Sequence, residues 1–169
     1  MDDRPLILIG FMGSGKSTLG QRLADRLGWE FLDTDQRVEE RDGRSIEQIF
    51  REDGEGKFRQ IESEVVEALD GLSKTVVATG GGLFLRAGNR RRLNTLGHTI
   101  WLDVPFETCV ERVGEGAGRP LWAAGEPLAL RAFFDRRSAS YALAETRVRV
   151  LGESADERSE EHTSELQSR

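Results

Sequence analysis

Residues 5–18 read PLILIGFMGSGKST, and the rest of the chain can be placed around them. The apolar run 5–9 meets glycine at once, which describes a buried parallel strand ending in a tight turn. From Gly10 to Ser17 the chain matches G-x-x-x-x-G-K-[ST]. Leu19, Leu23 and Leu27 follow at four-residue spacing and Gly28 closes the stretch, so residues 16–28 predict an amphipathic helix with a glycine C-cap. Strand, glycine loop and helix in this order make a phosphate cradle. Its glycines let backbone N–H groups turn inward around phosphate oxygens, and the helix N-terminus adds partial positive charge. Lys16, one of only three lysines, would reach the β and γ phosphates, and the Ser17 hydroxyl would ligate Mg2+. A glycine-rich turn without a ligand is the competing reading, and the strand-to-helix context argues against it.

Outward from this unit, strand and helix alternate. Residues 30–33 (EFLD) predict a second strand. A helical stretch follows, interrupted at Asp42 and Gly43, and Ser45 with Gln48 forms a capping box that opens another short helix. Phe58, Ile61, Val65 and Leu69 mark a longer helix. Residues 75–78 (TVVA) predict a third strand running into Gly80, Gly81 and Gly82. Residues 87–96 are helical and basic, and residues 99–103 (TIWLD) predict a fourth strand. Pro105 suits the first turn of the next helix. Residues 114–126, with four glycines and a proline, read as a mobile loop, followed by a helix over 127–144 and a last strand over 147–151. Such alternation predicts the α/β class, a parallel sheet covered on both faces, with neither internal repeat nor interdomain linker.

The length, 169 residues, predicts one domain. Its 24 Lys and Arg against 30 Asp and Glu give a net charge of −6, which argues against a nucleic-acid or anionic-membrane binder. Arg90, Arg91 and Arg92 read as a solvated helix face. No apolar stretch approaches the roughly 18 residues of a membrane span, and the acidic N-terminus does not read as a signal peptide. The single cysteine, Cys109, forms no intrachain disulfide, suits the reducing cytoplasm and reads as a small core residue. Two histidines exclude a histidine-rich metal site, and His98 reads as solvated in a turn. Residues 158–169 (RSEEHTSELQSR) are polar and aperiodic, as in a disordered terminus. RSEEHTSELQS is also the translation of one frame of a common sequencing adapter. The segment is therefore expected to be foreign, leaving residues 1–157 as the domain.

Three groups of residues carry candidate chemistry. Asp33-Thr34-Asp35 ends the second strand, on the sheet edge where ligands bind in open parallel sheets. Asp33 is placed to hold Mg2+ through water, and Asp35 to orient or deprotonate an acceptor hydroxyl. Alone, such a pair reads equally well as a helix N-cap. Gly80, Gly81 and Gly82 permit close backbone approach of a small ligand, with a plain flexible turn as the alternative. Among 21 arginines, most of them surface charge, Arg119 stands in the glycine-rich loop where closure could bring it onto a transferring phosphoryl group. Trp122 beside it could cover the site or simply pack. Arg59 could supply a planar fork for a carboxylate. No local feature separates Arg137 from Arg136.

Taken together, GFMGSGKST (10–18), LDTD (32–35), DGRSIEQIF (42–50), DGEGKFRQIE (53–62), ATGGG (78–82), GRPL (118–121) and RRSASY (136–141) resemble the shikimate kinase family. The resemblance spans residues 5 to about 150. It implies a three-layer α/β/α P-loop kinase fold of the nucleoside-monophosphate-kinase type, with a five-stranded parallel sheet in the order 2-3-1-4-5. It implies ATP-dependent phosphorylation of the 3-hydroxyl of shikimate, giving 3-phosphoshikimate and ADP on the route to chorismate and the aromatic amino acids. Gly13, Ser14, Gly15, Lys16, Ser17 and Thr18 would then bind ATP, with Ser17 and Asp33 serving the Mg2+. Asp35, Arg59, Gly81 and Arg137 fall on the shikimate contacts, with Gly80 and Gly82 beside them. Arg119 falls on the lid arginine and Arg112 on an arginine near the adenine. Lys16, Asp35 and Arg119 would carry catalysis in a cytoplasmic monomer whose ligands are shikimate and ATP. Members of the family usually continue into a closing helix, which is expected to be cut short here, and residues 151–157 lack an arginine that often holds the adenine. A related P-loop small-molecule or nucleotide kinase is the nearest alternative. A non-catalytic nucleotide-binding regulator is another, although Lys16, Asp35 and Arg119 are all present.

Overall fold

The computed structural model describes residues 2–114 and 127–151. Five parallel strands form one sheet: β1 (Leu6–Ile9), β2 (Glu30–Asp33), β3 (Thr75–Ala78), β4 (His98–Asp103) and β5 (Thr146–Arg149), in the order β2-β3-β1-β4-β5. This is the expected topology. The helices are α1 (Lys16–Leu27), α2 (Thr34–Asp42), α3 (Ile46–Glu67), α4 (Ala87–Leu96), α5 (Phe106–Val113) and α6 (Pro127–Tyr141), with one 3-10 turn at Leu83–Leu85.

The continuous apolar strands bury both faces. Along β1, Ile7 and Ile9 join a cluster with Val66, Leu93, Cys109 and Tyr141. Leu8 between them points the other way and packs with Ala24, Leu23 and Phe31. Period-two alternation thus feeds two cores, one on each side of the sheet. A third cluster, Val38, Ile49, Phe58, Ile61 and Val65, ties α2 to α3.

Element ends differ from expectation by one to three residues, for identifiable reasons. β4 starts at His98 because its N–H reaches the Pro5 carbonyl at 2.8 Å. α6 stops at Tyr141, since Leu143 and Ala144 bond to carbonyls three residues back and tighten the chain out of the helix. The helix opened by the Ser45–Gln48 capping box runs into the longer one, and the two meet at Gly54, whose φ of 79° and ψ of 179° are not helical. His98, expected in a turn, instead opens β4, and its partly exposed ring is held at the surface by charged neighbours. Its Nε2 lies 2.9 Å from Asp2 and its Nδ1 3.2 Å from Glu145, with the Arg4 guanidinium alongside.

The C-terminal ends of β1, β2 and β3 deliver residues 10–15, 33–35 and 79–82 to one edge of the sheet. Residues 115–126, with Arg119 and Trp122, and the polar segment 158–169 lie outside the described residues. Among the described residues, no helix is long and apolar enough to cross a membrane.

Candidate active site

The loop after β1 takes its shape from glycine. Gly13 and Gly15 have φ of 76° and 89°, and a side chain at Gly13 would lie 2.5 Å from the Cys109 carbonyl. The loop is thereby pressed onto α5. α1 begins on Gly15 with no side-chain cap, so its first N–H groups and its positive dipole end face the loop. Lys16 is buried, its Nζ donating to the carbonyls of Gly10 and Phe11 at 2.9 Å each and to Ser14 Oγ at 3.3 Å. Arg112 donates to the Ser14 carbonyl at 3.3 Å, which puts its guanidinium directly on the phosphate loop.

The N-cap reading of the carboxylate pair holds, and it leaves one Asp33 oxygen for the phosphate loop. Asp33 caps α2 by accepting from the Asp35 N–H at 2.9 Å, and its other oxygen accepts from Ser17 Oγ at 2.6 Å. Ser17 and Asp33 therefore present adjacent hard oxygens beside the phosphate loop, which fits Mg2+ held by few protein ligands plus phosphates. Among the described residues, no group of three or more His, Cys, Asp or Glu gathers as a metal cage.

Next to this loop opens a cavity of about 340 Å3. Asp35, Arg59 and Arg137 come to it from α2, α3 and α6, and Ile46, Phe50 and Phe58 supply an apolar wall. The triple glycine is its floor, and each glycine makes room for one side chain. A Cβ at Gly80 would stand 2.5 Å from Asp35 Oδ1, one at Gly81 3.2 Å from an Arg137 nitrogen, and one at Gly82 would overlap the Arg59 guanidinium. None of the three needs a positive φ, so close approach rather than turn geometry demands glycine here. The Gly80 N–H donates to Thr34 Oγ1 at 2.9 Å, and the Gly80 carbonyl accepts from Leu83 at 3.2 Å.

The two arginines are held differently. Arg59 donates to Glu62 at 2.7 Å and to Glu55 at 3.2 Å. Burial works against its charge, but the Glu62 carboxylate outweighs that and raises its pKa. Glu62 is 1 % exposed, and burial lifts its carboxyl above the usual range despite Arg59. Arg137 is buried while Arg136 is exposed, a distinction that no local sequence feature supplied and that only the family resemblance suggested. Its guanidinium lies 3.9 Å from the Phe133 ring centroid, and burial depresses its pKa. Its buried Nε has no hydrogen-bond partner among the described residues. Sequence reasoning passed over Glu62, although it falls on the buried face marked by Phe58, Ile61 and Val65. It passed over Tyr141 too, one helical turn beyond Arg137, whose hydroxyl donates to the Gly81 carbonyl at 2.5 Å.

A phosphate loop between β1 and α1, opening onto a cavity lined by arginines and carboxylates at the same sheet edge, defines a P-loop phosphotransferase. Comparison with known proteins narrows the class. A family model described as shikimate kinase matches residues 12–167. A shikimate kinase of Persephonella marina is 42 % identical over 151 residues, covering 89 % of this chain and 92 % of that protein. One of Moorella thermoacetica is 43 % identical over 150 residues, 89 % of this chain and 87 % of that protein. Among solved structures, shikimate kinase from Acinetobacter baumannii in complex with shikimate superposes with a TM-score of 0.84 at 33 % identity, covering 98 % and 93 % of the two chains. The Aquifex aeolicus shikimate kinase gives a TM-score of 0.77 at 36 % identity, covering 96 % of each. This chain belongs to the shikimate kinase family.

Proposed function

We propose that the chain transfers the γ-phosphoryl group of ATP to the 3-hydroxyl of shikimate, releasing 3-phosphoshikimate and ADP. The observation that carries this reading is the convergence of Asp35, Arg59 and Arg137 on Gly80, Gly81 and Gly82 in a cavity that adjoins the phosphate loop. Shikimate carries one carboxylate and three hydroxyls, so its recognition needs cationic forks and acceptors together. Arg59 and Arg137 supply the forks, and a planar guanidinium matches a carboxylate through paired N–H donors. Asp35 accepts from the acceptor hydroxyl and orients it, or takes its proton as transfer proceeds. Because the Gly80 carbonyl is already taken by Leu83, the trans peptide turns the Gly81 N–H to its other side, available as a donor.

At the nucleotide end, Lys16 exchanges its loop carbonyls for phosphate oxygens, and the backbone of Gly13 to Thr18 surrounds them. Ser17 would ligate the Mg2+, with Asp33 holding it through water. The ion, when bound, neutralises charge on the β and γ phosphates. Arg112, on the loop, and Arg119 add positive charge where negative charge spreads during transfer.

A coupled ADP-release assay compares shikimate with gluconate and nucleoside monophosphates. Turnover dependent on shikimate is expected, and shikimate-independent turnover with another acceptor overturns the reading. In the same assay, Asp35→Asn is expected to lower kcat by at least about a hundredfold while ATP affinity changes less than about twofold. Wild-type turnover in that variant removes Asp35 from the mechanism.

A further inference from the structure

Tyr141 is the only tyrosine in the chain, the last residue of α6 and 1 % exposed. Nothing in the transfer chemistry calls for a phenol, and packing does not call for its oxygen. The ring sits in the main core, 6.2 Å from the Trp101 ring centroid, where phenylalanine would fill the same space. The oxygen is committed instead. It donates to the Gly81 carbonyl, and Arg137, one turn earlier on the same helix, interacts electrostatically with it. Both residues line the cavity. Burial pushes the phenol up to about 12, so it stays a neutral donor throughout the range of any assay.

We propose that Tyr141 is a positioning residue for the acceptor. Its hydroxyl fixes the Gly81 carbonyl and the Arg137 guanidinium relative to each other, so that glycine backbone and cation meet the substrate in one set geometry. The proposal rests on the reading of this cavity as the shikimate site. The neighbouring bonds support it: Thr34 holds the Gly80 N–H and Leu83 the Gly80 carbonyl, leaving the Gly81–Gly82 peptide to be fixed by Tyr141 alone among the described residues. Without the hydroxyl, the Arg137 guanidinium, whose buried Nε already lacks a hydrogen-bond partner among the described residues, would lose a favourable dipole at its side and could rotate on the Phe133 ring.

The test uses the full chain carrying Tyr141→Phe. The KM for shikimate is expected to rise about tenfold, equivalent to about 1.4 kcal/mol. KM for ATP and kcat should stay within about twofold, because the hydroxyl's hydrogen bond goes to the Gly81 carbonyl in the acceptor cavity and not to the phosphate loop. A wild-type enzyme that phosphorylates shikimate beside a Tyr141→Phe variant with unchanged shikimate KM overturns the positioning role and leaves the function standing. Parallel rises in both KM values point to a merely structural residue and overturn it as well. A wild-type chain inactive on shikimate overturns the functional reading and this one with it. Should Tyr141→Phe not fold, 3-fluorotyrosine incorporated in the wild-type chain gives a single 19F resonance from this position. That resonance is expected to move on adding shikimate and to stay in place with ADP and Mg2+ alone. No movement with shikimate overturns the proposal.

Discussion

Asp33 uses its two carboxylate oxygens for two unrelated purposes, one at the start of a helix and one at the phosphate loop. Asparagine can take over the first, since its side-chain oxygen is as good an N-cap acceptor as aspartate's. It cannot take over the second, where a negative oxygen faces the Ser17 hydroxyl and the place proposed for the cation. Asp33→Asn is therefore expected to leave thermal unfolding within about 1 kcal/mol of wild type. The Mg2+ concentration for half-maximal activity should rise about 10- to 100-fold. A magnesium titration beside a melting curve separates the two purposes, and a large loss of stability with unchanged magnesium dependence would place Asp33 in the fold alone. Glu62 shows why some such residues escape a reading of the sequence. A glutamate within a charged helix looks solvated until its neighbours at three- and four-residue spacing are seen to be buried, as Phe58, Val65 and Val66 are. Arg137 was singled out only through the family resemblance: it and Arg136 are chemically identical, and the rotation of α6 is what sends one inward.

α3 is the element on which the acceptor cavity turns. Its first segment presents Ile46 and Phe50, its second presents Phe58, Arg59 and Glu62, and Gly54 sets the angle between them. With φ of 79° and ψ of 179°, Gly54 occupies backbone territory almost reserved for glycine. No atom stands within 4 Å of where its Cβ would be, so the constraint is conformational and not steric crowding. Alanine there favours a continuous helix and would swing residues 46–53 away from the cavity. Gly54→Ala is expected to cost about 1–3 kcal/mol of stability and to raise the shikimate KM at least about fivefold, with the ATP KM unchanged. Steady-state kinetics in both substrates and a denaturant titration check this, and equal changes in the two KM values would count against it. Such elements were legible to different degrees. Strong periodicity and capping, as at Ser45 and Gln48, announced where helices begin. The start of β4 depended instead on a carbonyl supplied from a distant part of the chain, that of Pro5 for His98, and no local pattern encodes that.

At the scale of the molecule, strand order could not be read from alternation. A parallel α/β sheet admits several orders, and 2-3-1-4-5 entered through the family resemblance before the backbone pairing displayed it. The site was legible in part because a parallel sheet gathers its loops at one edge, which turned motifs far apart in the chain into neighbours. The net charge of −6 is no obstacle to two anionic ligands, since Lys16, Arg59, Arg112 and Arg137 are concentrated at that edge. The triple glycine in the same place has a genetic consequence. Every missense change reachable by one base from a glycine codon installs a Cβ, whether as Ala, Val, Ser, Cys, Asp, Glu, Arg or Trp. The codons for Gly80, Gly81 and Gly82 are thus silent at the third base and without a conservative alternative at the first two. A saturation scan under selection for growth without aromatic amino acids is expected to deplete all three positions, least for Gly81→Ala, whose Cβ meets its neighbour at 3.2 Å. Nucleotide binding should survive in the depleted variants, so a single transition in this short stretch of gene would leave a well-folded protein that still takes up ATP and has no acceptor to give it to.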